Sequence, residues 1–147
     1  MRIHGRGGRG VVTSAAGIRR AWLTAWLGGP AIGIANGAAR EVLFAGRMRE
    51  RTAQRISTAT AFTLFSGYFL VLNRRWPIPT TRQALEIGAA WSALTIAFEF
   101  GFGHYVAGEP WAKLLAAYDV TDGEVWILIP LWMAAGPATV SALDNRR

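Results

Sequence analysis

Four apolar stretches, each long enough to cross a lipid bilayer, constrain this chain more than any other feature of its sequence. Two of them, 56–72 and 125–143, contain no charged residue, whereas 21–44 and 84–102 each contain two. The hydrocarbon core of a membrane requires about 17 to 25 mostly apolar residues of a helix. The sequence therefore predicts an all-α, polytopic membrane protein whose four transmembrane helices form an up-down bundle.

The first twenty residues form a separate region. They are rich in glycine and arginine and include no acidic residue, which predicts a flexible basic arm at 1–20 ahead of a four-helix transmembrane domain at 21–147. An arm of this kind also suits RNA binding or an organelle presequence. Because the net charge of +7 accompanies four apolar stretches, we expect the arm to contact lipid headgroups or another membrane subunit, not nucleic acid.

Composition excludes several kinds of chemistry. The chain has no cysteine, which rules out disulfides, thiolate metal sites and cysteine nucleophiles. Its two histidines, His4 and His104, lie far apart in unlike settings, so no metal site is expected. A nucleophile beside an activating base is not evident, and this makes a membrane enzyme the least favoured class. The sequence identifies no cofactor.

The connections between the stretches contain turn and helix signals. Prolines stop a helix after residue 76, and Thr80 or Thr81 is placed to cap the next one. After Pro110, apolar residues recur at helical spacing, at Trp111, Leu114, Leu115 and Tyr118. We predict a short interfacial helix between the third and fourth spans, with a turn packed outside the membrane as the alternative. Gly28-Gly29-Pro30 predicts a bend in the first span, where a neighbouring helix restores the lost backbone bond.

Aromatic residues near the ends of the stretches are predicted to anchor the bundle at the lipid–water interface. These residues are Trp76, Trp111, Tyr118 and Trp126. If the amino terminus is inside, most arginines lie in the segments on that same side of the membrane. The arginines of the first connection are the exception. The positive-inside rule then predicts that both termini are cytoplasmic.

One polar cluster lies within the apolar stretches. Glu99 is its central residue, because an ionisable side chain inside a membrane helix is a functional-site hypothesis by default. Arg40 falls within about 6 Å of the same depth on a parallel helix, and Asn36 lies one turn below it. We predict that Glu99 and Arg40 contact each other directly or through water, with Glu41 and His104 at the rim. Both an ion pair that fixes helix register and a polar cavity for a headgroup, ion or proton fit this pattern.

Three strings of residues resemble a family of small four-helix bacterial inner-membrane proteins that carry no assigned activity. The strings are Asn36-Gly-Ala-Ala-Arg40-Glu41, Phe98-Glu-Phe-Gly-Phe-Gly-His-Tyr-Val106 and Trp111-Ala-Lys-Leu-Leu-Ala-Ala-Tyr118-Asp119. The resemblance covers about 36–132 and implies a multi-pass fold in the bacterial inner membrane, but no reaction. The chain departs from the family at Gly33, where an acidic residue is common, and this departure weakens any proposal of a two-carboxylate centre.

Three classes of function are compatible with these features. The small size, the seven tryptophans and the basic arm favour an accessory or assembly subunit of a larger membrane complex. The alternative is a small transporter, or a protein that binds an ion or a lipid headgroup, through the cluster around Glu99 and Arg40. A membrane enzyme acting on a lipid is the third class.

Overall fold

The computed structural model describes residues 14–147, which contain α-helices and one 3-10 turn but no β-strand. The helices are α1 (Ala15–Ala25), α2 (Gly28–Phe44), α3 (Glu50–Arg75), α4 (Thr81–Tyr105), α5 (Trp111–Ala116) and α6 (Leu128–Asp144), and the 3-10 turn is Val120–Asp122. The predicted all-α class is confirmed. The first thirteen residues of the predicted arm lie outside the described residues.

The chain runs four times between the same two ends of the molecule, and α1 and α2 together make the first pass. At one end, Gln83 Nε2 donates to the carbonyl of Ala15, and Asn73 Nδ2 donates to the carboxylate of Asp144. These bonds join the start of α1, the α3–α4 turn and the end of α6, and we call this the closed end. The opposite end consists of the α2–α3 turn and the segment 106–127, and we call it the open end.

Two of the described helices, α3 and α4, are long and apolar enough to cross a membrane. They contain the predicted spans 56–72 and 84–102 and extend beyond both. The predicted span 125–143 corresponds to α6, which has only 17 residues. A bundle of four membrane spans is therefore not confirmed, because length and composition support two.

The predicted first span, 21–44, is two helices and not one. Helix α1 ends at a turn before Gly28, and side chains from other helices bind its last carbonyl groups. The Tyr68 hydroxyl donates to the carbonyl of Ala25 at 2.7 Å, and Trp91 Nε1 donates to that of Trp22 at 3.0 Å. A Cβ at Gly28 would lie 2.6 Å from the Tyr68 hydroxyl, so a larger residue here would displace the Tyr68 side chain. The predicted break and its repair by neighbouring helices are confirmed.

Helix α1 begins inside the region that we predicted to be a flexible arm. Ser14 Oγ accepts a hydrogen bond from Gly17 N at 3.0 Å and so caps the helix. Ile18 and Trp22 are buried on one face, four residues apart. The prediction was wrong for residues 15–20, because their apolar face continues into the stretch that follows and only becomes evident when the two are joined.

Aromatic rings form the centre of the core, which also contains buried aliphatic side chains from α1, α3, α4 and α6. Trp22, Phe69 and Trp91 are fully buried, with the Phe69 and Trp91 ring centroids 5.2 Å apart. Helices α4 and α6 approach each other so closely at Gly88 that a Cβ there would collide with the backbone carbonyl of Ala134. Close approach through small residues is typical of helices that pack in membranes.

Trp76, predicted to be an interfacial anchor, packs partly buried against this core. Its carbonyl accepts a hydrogen bond from Trp22 Nε1 at 3.0 Å, and Arg75 lies over its ring, 5.4 Å from the centroid. Thr80 caps α4 as predicted, since its Oγ1 accepts from Gln83 N at 3.1 Å. The α3–α4 turn is therefore tied to the core and does not project from it.

Candidate ligand-binding site

A cavity of about 880 Å³ reaches from the open end into the bundle between α2, α3, α4 and α6. Its volume is in the range of small-molecule pockets, about 300 to 1,000 Å³. The charged residues that line it are acidic at Glu41, Glu50, Glu99, Glu109, Asp122 and Glu124, and basic at Arg40, Arg51 and Lys113. The wall of this cavity is thus acidic in a protein whose net charge is +7.

Glu99 lies in the wall of the cavity, near the end of α4. Its carboxylate accepts a hydrogen bond from the Tyr118 hydroxyl. Trp126 Nε1 donates to both carboxylate oxygens, at 3.1 Å each. None of the ion pairs among residues 14–147 includes Glu99. Two neutral donors therefore hold the carboxylate in place, and no basic side chain of the described chain compensates its charge.

The segment 106–127 brings both donors to Glu99 by folding back over the end of α4. Gly108 and Gly123 have φ values of 74° and 84°, a left-handed conformation that glycine adopts without steric cost. At the first turn, Glu109 N donates to the carbonyl of Gly103 at 2.9 Å. At the second, Asp122 forms an ion pair of 3.4 Å with Arg51 of α3.

Tyr118 is held with its hydroxyl toward Glu99. Its ring stacks on that of Phe100, with centroids 5.6 Å apart. Burial and the adjacent carboxylate raise the pKa of Tyr118 above its ordinary value, because both disfavour the phenolate. The hydroxyl therefore keeps its proton and acts as a donor to Glu99 at physiological pH.

The predicted contact between Arg40 and Glu99 is not a direct one. Arg40 donates to Gln54 on α3 and pairs with its neighbour Glu41 at 3.2 Å. Both Arg40 and Glu99 line the cavity, so a contact between them through water stays a prediction. The direct ion pair was wrong because depth along a helix does not fix the direction in which a side chain leaves it. Arg40 faces α3, and Glu99 faces the segment before α6.

Two other members of the predicted cluster lie away from the cavity. Asn36 is buried and donates to the Ser57 carbonyl at 3.0 Å and to its hydroxyl at 2.8 Å, which joins α2 to α3. His104 Nδ1 lies 2.9 Å from the carbonyl oxygen of Glu109. The His104 ring stacks on Trp111, with centroids 3.9 Å apart. Both side chains have structural contacts that account for them.

The two residues that hold Glu99 had been assigned another role from the sequence. Tyr118 and Trp126 were predicted to be interfacial anchors, yet both are partly buried with their polar atoms on Glu99. The predicted short helix is confirmed as α5, but it ends at Ala116, before Tyr118. The only signal for the pairing was that both residues carry a single hydrogen-bond donor on an apolar ring.

The site offers a carboxylate, a protonated phenol and several aromatic rings. Phe98, Phe100 and Trp26 line the cavity together with the two donors. Within residues 14–147, no three His, Cys, Asp or Glu side chains are grouped so as to hold a metal ion. A carboxylate among aromatic rings is suited to bind an organic cation or a proton.

No family model matches this chain, and neither a curated protein nor a solved structure is significantly similar to it.

Proposed function

We propose that this is an integral membrane protein that binds an organic cation in the cavity beside Glu99. The observation that carries the proposal is a carboxylate in a cavity wall, held by the neutral donors Tyr118 and Trp126 and paired with no basic side chain of the described chain. A charge removed from bulk water needs a partner. A bound cation would supply it.

The other residues of the cavity support a cation over an anion. Arg40, Arg51 and Lys113 are each paired with an acidic side chain. By contrast, neither Glu50 nor Glu124 has an ion-pair partner in the part of the chain that the structure describes. An anionic ligand would therefore have to displace existing ion pairs, whereas a cation meets uncompensated acidic groups.

Aromatic rings favour an organic ammonium group over a hydrated metal ion. Phe98 and Phe100 flank Glu99 along α4 and line the same cavity. An ammonium group within about 6 Å of a ring centroid gains about 0.5 to 2 kcal/mol per ring, most where water is excluded. An alkylated ammonium sheds its water more readily than a metal ion and is the preferred ligand of such a site.

Binding of tetramethylammonium to the full chain in lipid nanodiscs tests the proposal. Calorimetry should show saturable binding that sodium chloride at equal ionic strength does not reproduce. Glu99→Gln should weaken it by at least about tenfold, since it removes the charge and keeps the shape. Glu86→Gln is the matched control, because Glu86 lies on α4 but pairs with Arg19 on the surface. Absence of binding, or equal binding by both variants, would refute the proposal.

The accessory subunit predicted from the sequence is a second candidate. It is favoured by the outward face of α2, where Val42 and Leu43 are exposed. A partner helix would cover this face. Gentle solubilisation followed by mass measurement should then give a complex larger than a monomer or homodimer, and a lone chain would count against it.

For the localisation we propose the bacterial inner membrane, with both termini in the cytoplasm. The arginine distribution supports this orientation, and the contacts that bring Ala15 and Asp144 to the same end of the bundle are compatible with it. Reporter fusions after Arg147 and within the segment near Asp119 should report opposite sides. Activity of an outside-only reporter at Arg147 would overturn the orientation.

A further inference from the structure

The cavity continues past Glu99 into a compartment that carries no charge. Its lining there includes Gly33 on α2, together with Phe65, Trp91, Ile129 and Met133, which are buried members of the core. Trp91 precedes Glu99 by eight residues on α4, which corresponds to a depth of about 12 Å. The compartment is thus long and apolar, and it opens at one end onto a carboxylate.

The α2 wall of this compartment contains two glycines beside which space is open. A Cβ added at Gly33 or Gly37 would meet no atom within 4 Å, and Gly33 and Gly37 both line the cavity. These glycines differ from Gly88, where the added atom would collide with the backbone of Ala134. Gly88 serves close helix packing, whereas Gly33 and Gly37 leave space that no other part of the described chain fills.

A small cation alone would leave most of an 880 Å³ cavity without contacts. We propose that the ligand is an amphiphile, with an ammonium head at Glu99 and a single hydrocarbon chain lying along Gly33 and Gly37. This inference rests on the proposed cation site and names its ligand class. The head would lie among Phe98, Phe100 and the carboxylate, and the chain would replace water along Gly33 and Gly37 of α2.

The order of these parts also matches the position of the cavity in the molecule. Its charged mouth lies at the open end, where α3 begins at Glu50 and α4 ends at Tyr105. Its apolar part lies toward the middle of those same two helices, which are the two able to cross a membrane. An amphiphile in a bilayer has its head at the interface and its chain inside, so it would enter without turning over.

A chain-length series on the full protein in nanodiscs tests this inference. Tetramethylammonium, butyltrimethylammonium and octyltrimethylammonium are titrated below their micelle concentrations, and the partition into empty nanodiscs is subtracted. We expect affinity to rise on the order of tenfold or more from the first to the last compound, because apolar surface leaves water. Gly33→Leu should abolish that rise, measured as the ratio of the affinities for the longest and the shortest compound.

Gly67→Leu is the matched control, because Gly67 is exposed on α3, has open space at its Cβ and does not line the cavity. It should keep the full rise with chain length. Gly37→Leu serves as a second filling variant should Gly33→Leu fail to fold, as judged by gel filtration and circular dichroism.

The outcomes separate the two proposals. If tetramethylammonium binds through Glu99 but longer chains gain nothing beyond their partition into empty discs, the amphiphile is refuted and the cation site stands. If octyl sulfate binds as tightly as octyltrimethylammonium, the assignment of a cationic head is wrong. If no ammonium compound binds, the proposed function itself fails. A rise with chain length that Gly33→Leu does not reduce would place the chain elsewhere.

Discussion

The two ends of the bundle use the same kind of side chain for different purposes. At the closed end, Trp22 and Trp91 donate their indole N–H groups to backbone carbonyls, at 3.0 Å in each case. At the open end, Trp126 donates to the carboxylate of Glu99. A neutral donor and a neutral acceptor satisfy each other completely. A neutral donor on a carboxylate orients the group but leaves its charge for another partner.

Packing follows the same division. In the closed half, the backbone of Ala134 occupies the space beside Gly88, and the ring of Phe69 occupies the space beside Gly136. In the open half, Gly33 and Gly37 face a cavity. The closed half is therefore stabilised by close contacts, whereas the open half has fewer contacts around its cavity. This contrast can be tested with substitutions placed at equivalent positions in the two halves.

The largest effect is expected for Trp22→Ala at the closed end. Trp22 is fully buried, and truncation of a buried tryptophan costs about 3 to 5 kcal/mol. Unfolding in mixed micelles measures this cost. Trp111→Ala is the control, because Trp111 is 45% exposed and belongs to the open end. Equal losses for the two variants would contradict the contrast between the halves.

The next largest effect is expected for Gly88→Ala, which forces α4 away from α6. Overpacking of this kind costs about 1 to 3 kcal/mol. Gly33→Ala, at the open end, should be neutral or stabilising by up to about 1 kcal/mol, because alanine is the better helix former and its methyl group meets open space. Thermal unfolding of both variants in the same detergent provides the comparison. Destabilisation by Gly33→Ala would show that its space is already used.

The smallest effects on stability are expected for two tyrosine hydroxyl groups. Tyr68→Phe removes a bond to the carbonyl of Ala25 and should cost about 0.6 kcal/mol, the average for side-chain hydrogen bonds in a membrane protein. It should leave tetramethylammonium binding unchanged. Tyr118→Phe removes a donor from Glu99 and should weaken that binding by up to about tenfold, or about 1.4 kcal/mol, because the carboxylate loses its orientation. If Tyr68→Phe weakened binding as much, the two ends would not be separable.

Several local features followed from the sequence alone. The all-α class, the break near Gly28, the cap at Thr80 and the short helix after Pro110 rest on patterns within a few residues, or on the length of an apolar run. The sequence also singled out Glu99, because a carboxylate within an apolar run needs a physical reason; its role as a functional site stays a prediction. Such features are local, because the residues that cause them are neighbours in the chain.

The tertiary structure alone decided which polar groups meet. Apolar length could not show that the first stretch is divided between two helices or that the helix of the last stretch has 17 residues. Spacing gave Arg40 and Glu99 the same depth, but the direction of each side chain depends on how its helix is rotated against its neighbours. Tyr118 and Trp126 reach Glu99 from a loop that turns at two left-handed glycines, Gly108 and Gly123, and folds back over α4. Rotation and loop path are set by packing across the whole bundle, and for that reason the partners of Glu99 could not be read from the residues beside it.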